Sequence, residues 1–350
     1  MDYSRASSAI GRLCEADLDA RELRAQVVQE IRRVVGFDAY AWLLTDPLTW
    51  VGVAPMADVL WLGELPRHIG LKYATSVNRW TALGNSHVAL LQAVTEGDPA
   101  RSLLWRDLLD AQGIGDVASV VFPDQHGCWG FLELFKNATA GSFSSTEAAF
   151  LADLVAPLTR ALRHSQASSF ATTNQQNRLP IGPVVLLLSS DLEVLGQTPD
   201  TQAFLRTLVP PTDGQAPIPA GAYNVASQLL AVEQGIDSHP ASARVHLADG
   251  IWVTLRAARI ERLGIDEPTN IAVTIEESSP TERLDLFARA FGLSARETEL
   301  LGYLANGSDT KALAREMFVS QNTVQDHFKS IFLKTGTRTR PALLSRALGT

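Results

Sequence analysis

Gln325, Asp326 and Lys329 stand within five residues of one another near the end of the chain, in "SQNTVQDHFKSI". An amide, a carboxylate and an ammonium on one helix face can bond the edges of bases, which present matching donors and acceptors in a DNA major groove. Val324, Phe328 and Ile331 recur at i, i+4 and i+7. That spacing is a buried stripe, and it leaves Gln325, Asp326 and Lys329 on the outer face. Ser320 is a good N-cap for a helix from Gln321 to about Thr335, and Gly336 ends it. Upstream, Asp309 caps a helix running through Met317, so two helices meet across a turn of three to four residues. A major-groove reader needs that geometry. From pattern alone the other reading is a helical bundle with a solvated polar face. Lys311, Lys334, Arg338 and Arg340 are placed to neutralise phosphates, with Ser320, Asn322 and Thr323 at the helix start as further phosphate contacts. Ser294 and Glu297 form a capping box for a helix ending at Asn306–Gly307, and Thr339 with Pro341 starts a fourth helix.

These residues belong to a basic module on an acidic chain. The whole sequence of 350 residues has a net charge of −8, which by itself disfavours nucleic acid. Residues 285–350 carry nine Lys/Arg against six Asp/Glu, so the tail is +3 and the remainder −11. Hydrophobic content of 46% with 19% charged residues indicates a globular chain of two or three domains. No apolar run approaches the roughly 18 residues of a membrane span. The N-terminus lacks the basic-then-apolar signal pattern. The two cysteines, Cys14 and Cys128, form no disulfide framework and no metal spacing. The expectation is a cytoplasmic protein without membrane contact, metal or cofactor.

Ahead of the tail the pattern divides in two. Residues 18–35 have apolar positions at helical spacing. "GFDAYAWLLTD" (36–46) and "TWVGVAP" (49–55) read as a strand and its hairpin partner. Residues 60–112 read as mostly helical and irregular, and 116–136 as two strands about the turn Asp124–Gly127. Ser144 and Glu147 open a long amphipathic helix to 166. A polar stretch at 167–179 reads as a linker. Residues 182–197 then read as strand, turn and strand, and 198–208 as a short helix before a proline-rich loop at 209–221. A hairpin at 243–260 turning at Asp249–Gly250 and a last strand at 270–277 complete a second small module. A helix at 280–292 connects to the tail. Both front modules are of the α+β class.

The stretch from Leu293 to Leu344 resembles the LuxR/FixJ/NarL-type helix-turn-helix. The matching residues are the opening Leu-Ser-x-Arg-Glu at 293–297, Gly307, Lys311, Ala314, Ser320, Thr323–Val324, His327, Ile331, Lys334, Gly336 and Arg338. The resemblance implies an all-α four-helix domain at 293–350 whose third helix enters the major groove and whose fourth commonly supports dimerisation. Gln325 and Asp326 stand where the family usually has a basic residue after Thr-Val, which implies less phosphate attraction and a specific base code. Thr335 replaces a usually buried Leu, which implies a looser helix end. The first module, 15–166, resembles a GAF domain through "GFDAYAWLLTD", Gly-x-Trp-Gly-x-Leu-x-Leu at 127–134 and the Phe-Ser-x-x-Glu helix start. The second, 180–278, resembles a PAS-like domain more weakly, with 279–292 as connecting helix. No phospho-receiver signature is present.

GAF domains bind small molecules or serve as dimer scaffolds. Six of the seven tryptophans lie in this module. Tyr40, Trp42, Trp61, His68, Trp80, Trp105, Phe122 and Trp129 are the candidate pocket set; the other account is that the aromatics fill a core. Catalysis is not expected. His126 and Cys128 are separated by a turn that spoils their alignment, and there is no phosphate loop. The middle module has no Cys for flavin attachment, and His239 and His246 read as loop or surface residues. The composite reading is a one-component regulator that binds double-stranded DNA as a homodimer. It would contact RNA polymerase if it activates, and its front half would take a small-molecule effector. The alternative is an empty dimer scaffold that answers to a protein partner.

Overall fold

The computed structural model describes residues 2–83, 86–170, 184–202, 205, 219–247, 251–260 and 270–349. Strand β1 (Ala39–Thr45) pairs antiparallel with β2 (Gly52–Asp58) and with β5 (Gly127–Asn137). β5 pairs with β4 (Ile114–Asp124), and β4 with β3 (Val88–Leu90), giving the order β2-β1-β5-β4-β3. β3 falls inside the stretch expected to be helical and irregular. Its three residues are too few for a period-two pattern to register. The same stretch holds α3 (Leu65–Ala74) and a short α4 (Leu91–Val94).

One face of this sheet is covered by α1 (Tyr3–Glu15), α2 (Ala20–Arg32) and α5 (Ser145–Ser168). The expected domain start at residue 15 is corrected here. α1 lies ahead of it and buries Ala6 and Ile10 in the same core. The capping box of α5 forms, with Ser144 Oγ accepting from the Glu147 backbone N–H at 3.2 Å. β5 carries one extra residue relative to β4: Val121 pairs with Phe131, but Pro123 pairs with Cys128. This bulge lets Trp129 join Leu132 and Leu134 on the helix-covered face, while Phe131 and Glu133 turn to the other. Gly130 stands at the bulge because a Cβ there would meet Leu43 O at 2.7 Å.

The second sheet holds β6 (Val184–Leu188), β7 (Val194–Gln197), β8 (Ser242–His246), β9 (Trp252–Arg259) and β10 (Ile271–Glu277), ordered β7-β6-β10-β9-β8. Counted within each sheet, both have the order 2-1-5-4-3. Of the expected helix at 198–208, residues 198–202 and 205 are described and Thr201, Gln202 and Leu205 are helical; the turn at 249–250 and most of the linker lie outside the described residues. The linker's start is not free chain, since Phe170 is fully buried and stacks on Trp252 with centroids 5.1 Å apart.

No element is expected from the sequence at 222–242, yet α6 (Ala220–Glu233) runs through it. Its buried residues include the consecutive run Ala222–Gln228, so it has no single apolar stripe to read. α6 packs between the two sheets, against α3 and β2 on one side and β8, β9 and β10 on the other. Tyr73, Trp80 and Phe131 of the first module therefore share one core with Val225, Leu186 and Val253 of the second.

A buried ion cluster closes the seam. Arg244 on β8 grips Asp46 at the end of β1 through Nε–Oδ2 (2.7 Å) and Nη2–Oδ1 (2.8 Å). Its Nη1 bonds Asp285 at 2.8 Å on α7 (Pro280–Ala290). Burial pushes the Asp46 pKa up, but the guanidinium charge and its hydrogen bonds outweigh this and hold the carboxyl below its ordinary range. Arg244→Met leaves Asp46 buried without its cation and is expected to cost about 3–5 kcal/mol. Adding Asp46→Leu should recover much of that loss. Equal unfolding midpoints for wild type and Arg244→Met would show that the cluster does not hold the seam.

Candidate nucleic-acid interface and sensor cavity

The tail folds as α8 (Ala295–Ala305), α9 (Thr310–Glu316), α10 (Gln321–Thr335) and α11 (Arg340–Leu348). Every expected cap forms. Ser294 accepts from Glu297, Asp309 from Ala312, Ser320 from Thr323 and Thr339 from Ala342. Val324, Phe328 and Ile331 are buried. Gln325, Asp326 and Lys329 are exposed on the opposite face of α10, with Asn322 beside them. Lys329 Nζ donates to Asp326 Oδ1 at 2.8 Å, and that hydrogen bond holds the Asp326 carboxyl below its usual range. The pair leaves Gln325 the uncharged group of the face.

The phosphate candidates separate into two sets. Lys311, Ser320, Asn322 and Arg338 are exposed and Thr323 is half-buried. Lys334 and Arg340 are used within the domain. Lys334 Nζ bonds Glu297 Oε2 at 2.7 Å and Gly292 O at 3.1 Å. Arg340 donates to Thr310 Oγ1 at 2.8 Å and lies 4.1 Å over the Phe328 ring. Thr335 does not loosen the helix end. Its buried hydroxyl donates to Ile331 O at 2.8 Å and meets Thr337 Oγ1 at 2.8 Å. His327 is half-buried.

The aromatic set in the front module is dispersed. Trp42 stacks on Phe122 at 5.4 Å, and with Trp129 both sit in the core under α1, α2 and α5. Trp80 stacks on Phe131 at 4.5 Å. Tyr40 is half-buried beside Phe37, and Trp105 donates to Ile114 O at 2.7 Å. A cavity of about 60 Å³ lies on the other face of the sheet, between β1, β2, β5, α3 and α6. Of the eight candidates only His68 lines it. Trp61 acts from behind, donating Nε1–H to His68 Nδ1 at 2.7 Å. Burial brings the His68 pKa down to about 4, so the ring is neutral near pH 7. The cavity also holds a buried ion pair, Lys72–Glu133, which the sequence reading did not single out. Its signal was a glutamate amid the apolar strand "GFLELF". Elsewhere, Cys128 is fully buried, its thiol pushed up to about 11 by burial, and it faces Gly130 O, whereas His126 sits half-exposed beside Gln125.

Comparison with known proteins places the tail. Residues 292–347 match the family model described as bacterial regulatory proteins, luxR family. The tail is a LuxR-type helix-turn-helix. The monoamine regulon transcriptional regulator of Klebsiella aerogenes is 39% identical over 54 residues, covering 15% of this chain and 24% of that protein. The oxygen regulatory protein NreC of Staphylococcus aureus is 41% identical over 56 residues, covering 16% and 26%. The chain thus spans about a quarter of the length of the curated relatives it matches. Among solved structures, Escherichia coli SdiA aligns over 100% of this chain and 98% of its own, at 11% identity and a TM-score of 0.32. Vibrio cholerae VqmA aligns over 48% and 83%, at 18% identity and a TM-score of 0.19. Scores of that size do not establish a shared fold for the front half.

The LuxR-type domain is docked on the front body. Arg346 of α11 donates Nε–H to Phe170 O at 2.9 Å and covers the Phe291 ring at 4.9 Å. Arg289 of α7 donates to His126 O at 2.9 Å. Within the domain, Glu297 joins α8 to α10 through Lys334 and Ser330. Burial raises its pKa, but these bonds prevail and bring it to about 2. A depressed carboxylate stabilises above its ordinary pKa of 4.5 and loses that contribution as pH falls toward 2. Lys334→Met should therefore lower the unfolding midpoint of the domain most above pH 4.5, with the gap to wild type closing toward pH 2. A gap independent of pH would refute the coupling.

Proposed function

We propose that the protein is a one-component transcription regulator. The observation that carries this reading is the capped helix α10 within a LuxR-type tail, with Gln325, Asp326 and Lys329 exposed together. A helix so presented fits the major groove. Gln325 suits an adenine edge and Asp326 a cytosine amino group, and Lys329 sets the reach between them. Lys311 and Arg338 supply phosphate contacts, with Ser320, Asn322 and Thr323 at the helix start. Two copies on a dyad-symmetric site double the contact, so the reading includes a homodimer and, for an activator, RNA polymerase as partner. The front half, a GAF-like and a PAS-like module of like strand order, takes a small-molecule effector in the cavity beneath α3 and α6. The protein acts without a catalytic step, in the cytoplasm.

The test is a salt titration of binding to a selected operator. DNA reading predicts a steep fall in affinity with salt. Lys311→Ala and Arg338→Ala should each weaken binding to all sequences and reduce the logarithmic slope by about one. Lys329→Ala should cost the selected site about tenfold to a hundredfold while sparing non-specific DNA. Salt-independent binding, or a Lys329→Ala protein that keeps its site, would refute the reading face.

A further inference from the structure

The cavity between the two front modules carries hydrogen-bonding groups that the described residues leave unused. Glu133 is 2% exposed. Its Oε1 accepts from Lys72 Nζ and from Ser119 Oγ at 3.3 Å, whereas its Oε2 has no donor among the described residues. The Tyr73 phenolic oxygen accepts from Gly52 N–H at 3.0 Å, and no described residue takes its own proton. Because His68 Nδ1 accepts from Trp61, the neutral ring keeps its proton on Nε2. Asn224 of α6 spends its amide N–H on Ala220 O at 2.9 Å, and its Oδ1 receives no described donor. All four residues line the same space. Glu133 Oε2, His68 Nε2 and Asn224 Oδ1, with the unspent Tyr73 hydroxyl proton, therefore offer both donors and acceptors to whatever molecule, water or ligand, fills the space.

The remaining wall defines that partner. Leu43, Ile69 and Phe131 are apolar, so most of the surface offers no polar contact. Lys72 and Glu133 cancel, and His68 is neutral, so the cavity has no net charge to match an ion. An ion placed there would be desolvated without compensation. The free groups include an acceptor, Glu133 Oε2, and donors, Tyr73 O–H and His68 Nε2–H. A primary or secondary amide presents both complements on neighbouring atoms. The space of about 60 Å³ is less than half of the roughly 150 Å³ that holds benzene, and it takes a head of about four heavy atoms.

We propose that this cavity binds the neutral amide head of a small molecule, donating to Glu133 and accepting from Tyr73 and His68, with α6 of the second module as its wall. The proposal rests on the sensing reading above and adds the ligand class and the second module's part in the site. Ala220 and Asn224 face the cavity from α6, so the head contacts both modules at once. A ligand with a body beyond the head then displaces α6, the helix that joins the two sheets.

The test uses the full chain and three molecules of the same shape: acetamide, acetate and acetamidinium. Ligand-observed NMR should give a saturable signal for acetamide and none for the two ions. Ala41→Leu fills the cavity from β1 and should abolish the signal. Tyr73→Phe keeps the ring and should raise the dissociation constant about tenfold. Hydrogen exchange should slow in residues 220–233 when acetamide is bound. Equal binding of the ions, an unchanged signal in Ala41→Leu, or no acetamide signal at all would overturn the site. Slowing confined to the first module would overturn the role of α6. Operator binding by the same preparations is scored separately, so loss of the ligand result leaves the DNA reading intact, and loss of operator binding leaves the ligand result intact.

Discussion

Burying Arg244 is the constraint on which the arrangement of the chain depends. A guanidinium at 5% exposure is tolerable only if it is paired with opposite charge and well hydrogen-bonded. Nε and Nη2 donate to Asp46 in a fork, and Nη1 donates to Asp285 and to the Glu282 carbonyl. Those partners come from the first sheet and from the helix that leads to the tail. The backbone N–H of Arg244 also donates to Asp46 at 2.8 Å, so strand β8 itself is pinned to the end of β1. The fork geometry accepts little change of angle. Three segments far apart in sequence are thereby fixed around one cation.

The same constraint lies on a run of contacts from the cavity wall toward the LuxR-type domain. Asp46 sits at the tip of the β1–β2 hairpin, and Leu43 of its stem lines the cavity while Gly52, paired with Thr45, is held by Tyr73. Under the proposed sensing, a change in the cavity that moved the hairpin would move Asp46, and Arg244 would carry the movement to α7. From α7 the path to the LuxR-type domain is short, through Phe287 and Phe291 against Phe170 and through Arg346. Coupling of this kind needs two arrangements of the packed parts rather than a continuous deformation.

The tail was legible because its signals are local. Capping residues at Ser294, Asp309, Ser320 and Thr339 act within one helical turn, and the structure places each helix start where they predict. The strands "AYAWLLT" and "GFLELFK" were legible for the same reason, being long apolar runs bounded by turn residues. What the sequence hid is tertiary. α6 is buried on several sides, so it shows no amphipathic period. Trp42 and Trp129 have the same composition as pocket aromatics, and only sheet sidedness, altered by a one-residue bulge at Gly130, assigns them to the core. Lys72 and Asn224 join Glu133 across 61 and 91 positions, which no local pattern records. Lys334 and Arg340 read as phosphate contacts by charge alone, and their partners Glu297 and Phe328 lie across the domain.

Charge then determines what the reading face must do. A front half of −11 repels a duplex, and two of the expected phosphate contacts, Lys334 and Arg340, are engaged within the tail. On α10 itself Lys329 is paired with Asp326, so the face brings little net attraction. Non-specific binding, which is almost wholly electrostatic, is therefore weak in one copy. Base-edge bonds have to supply a larger share of the free energy than in a basic reader. Separating Lys329 from Asp326 costs little, because both are exposed and solvated. Under the proposed reading, the pair opens where a base offers each a partner and stays closed elsewhere. On that reading, discrimination comes from the site that opens the pair, and the proposed second copy on an adjoining half-site adds the affinity that one copy lacks.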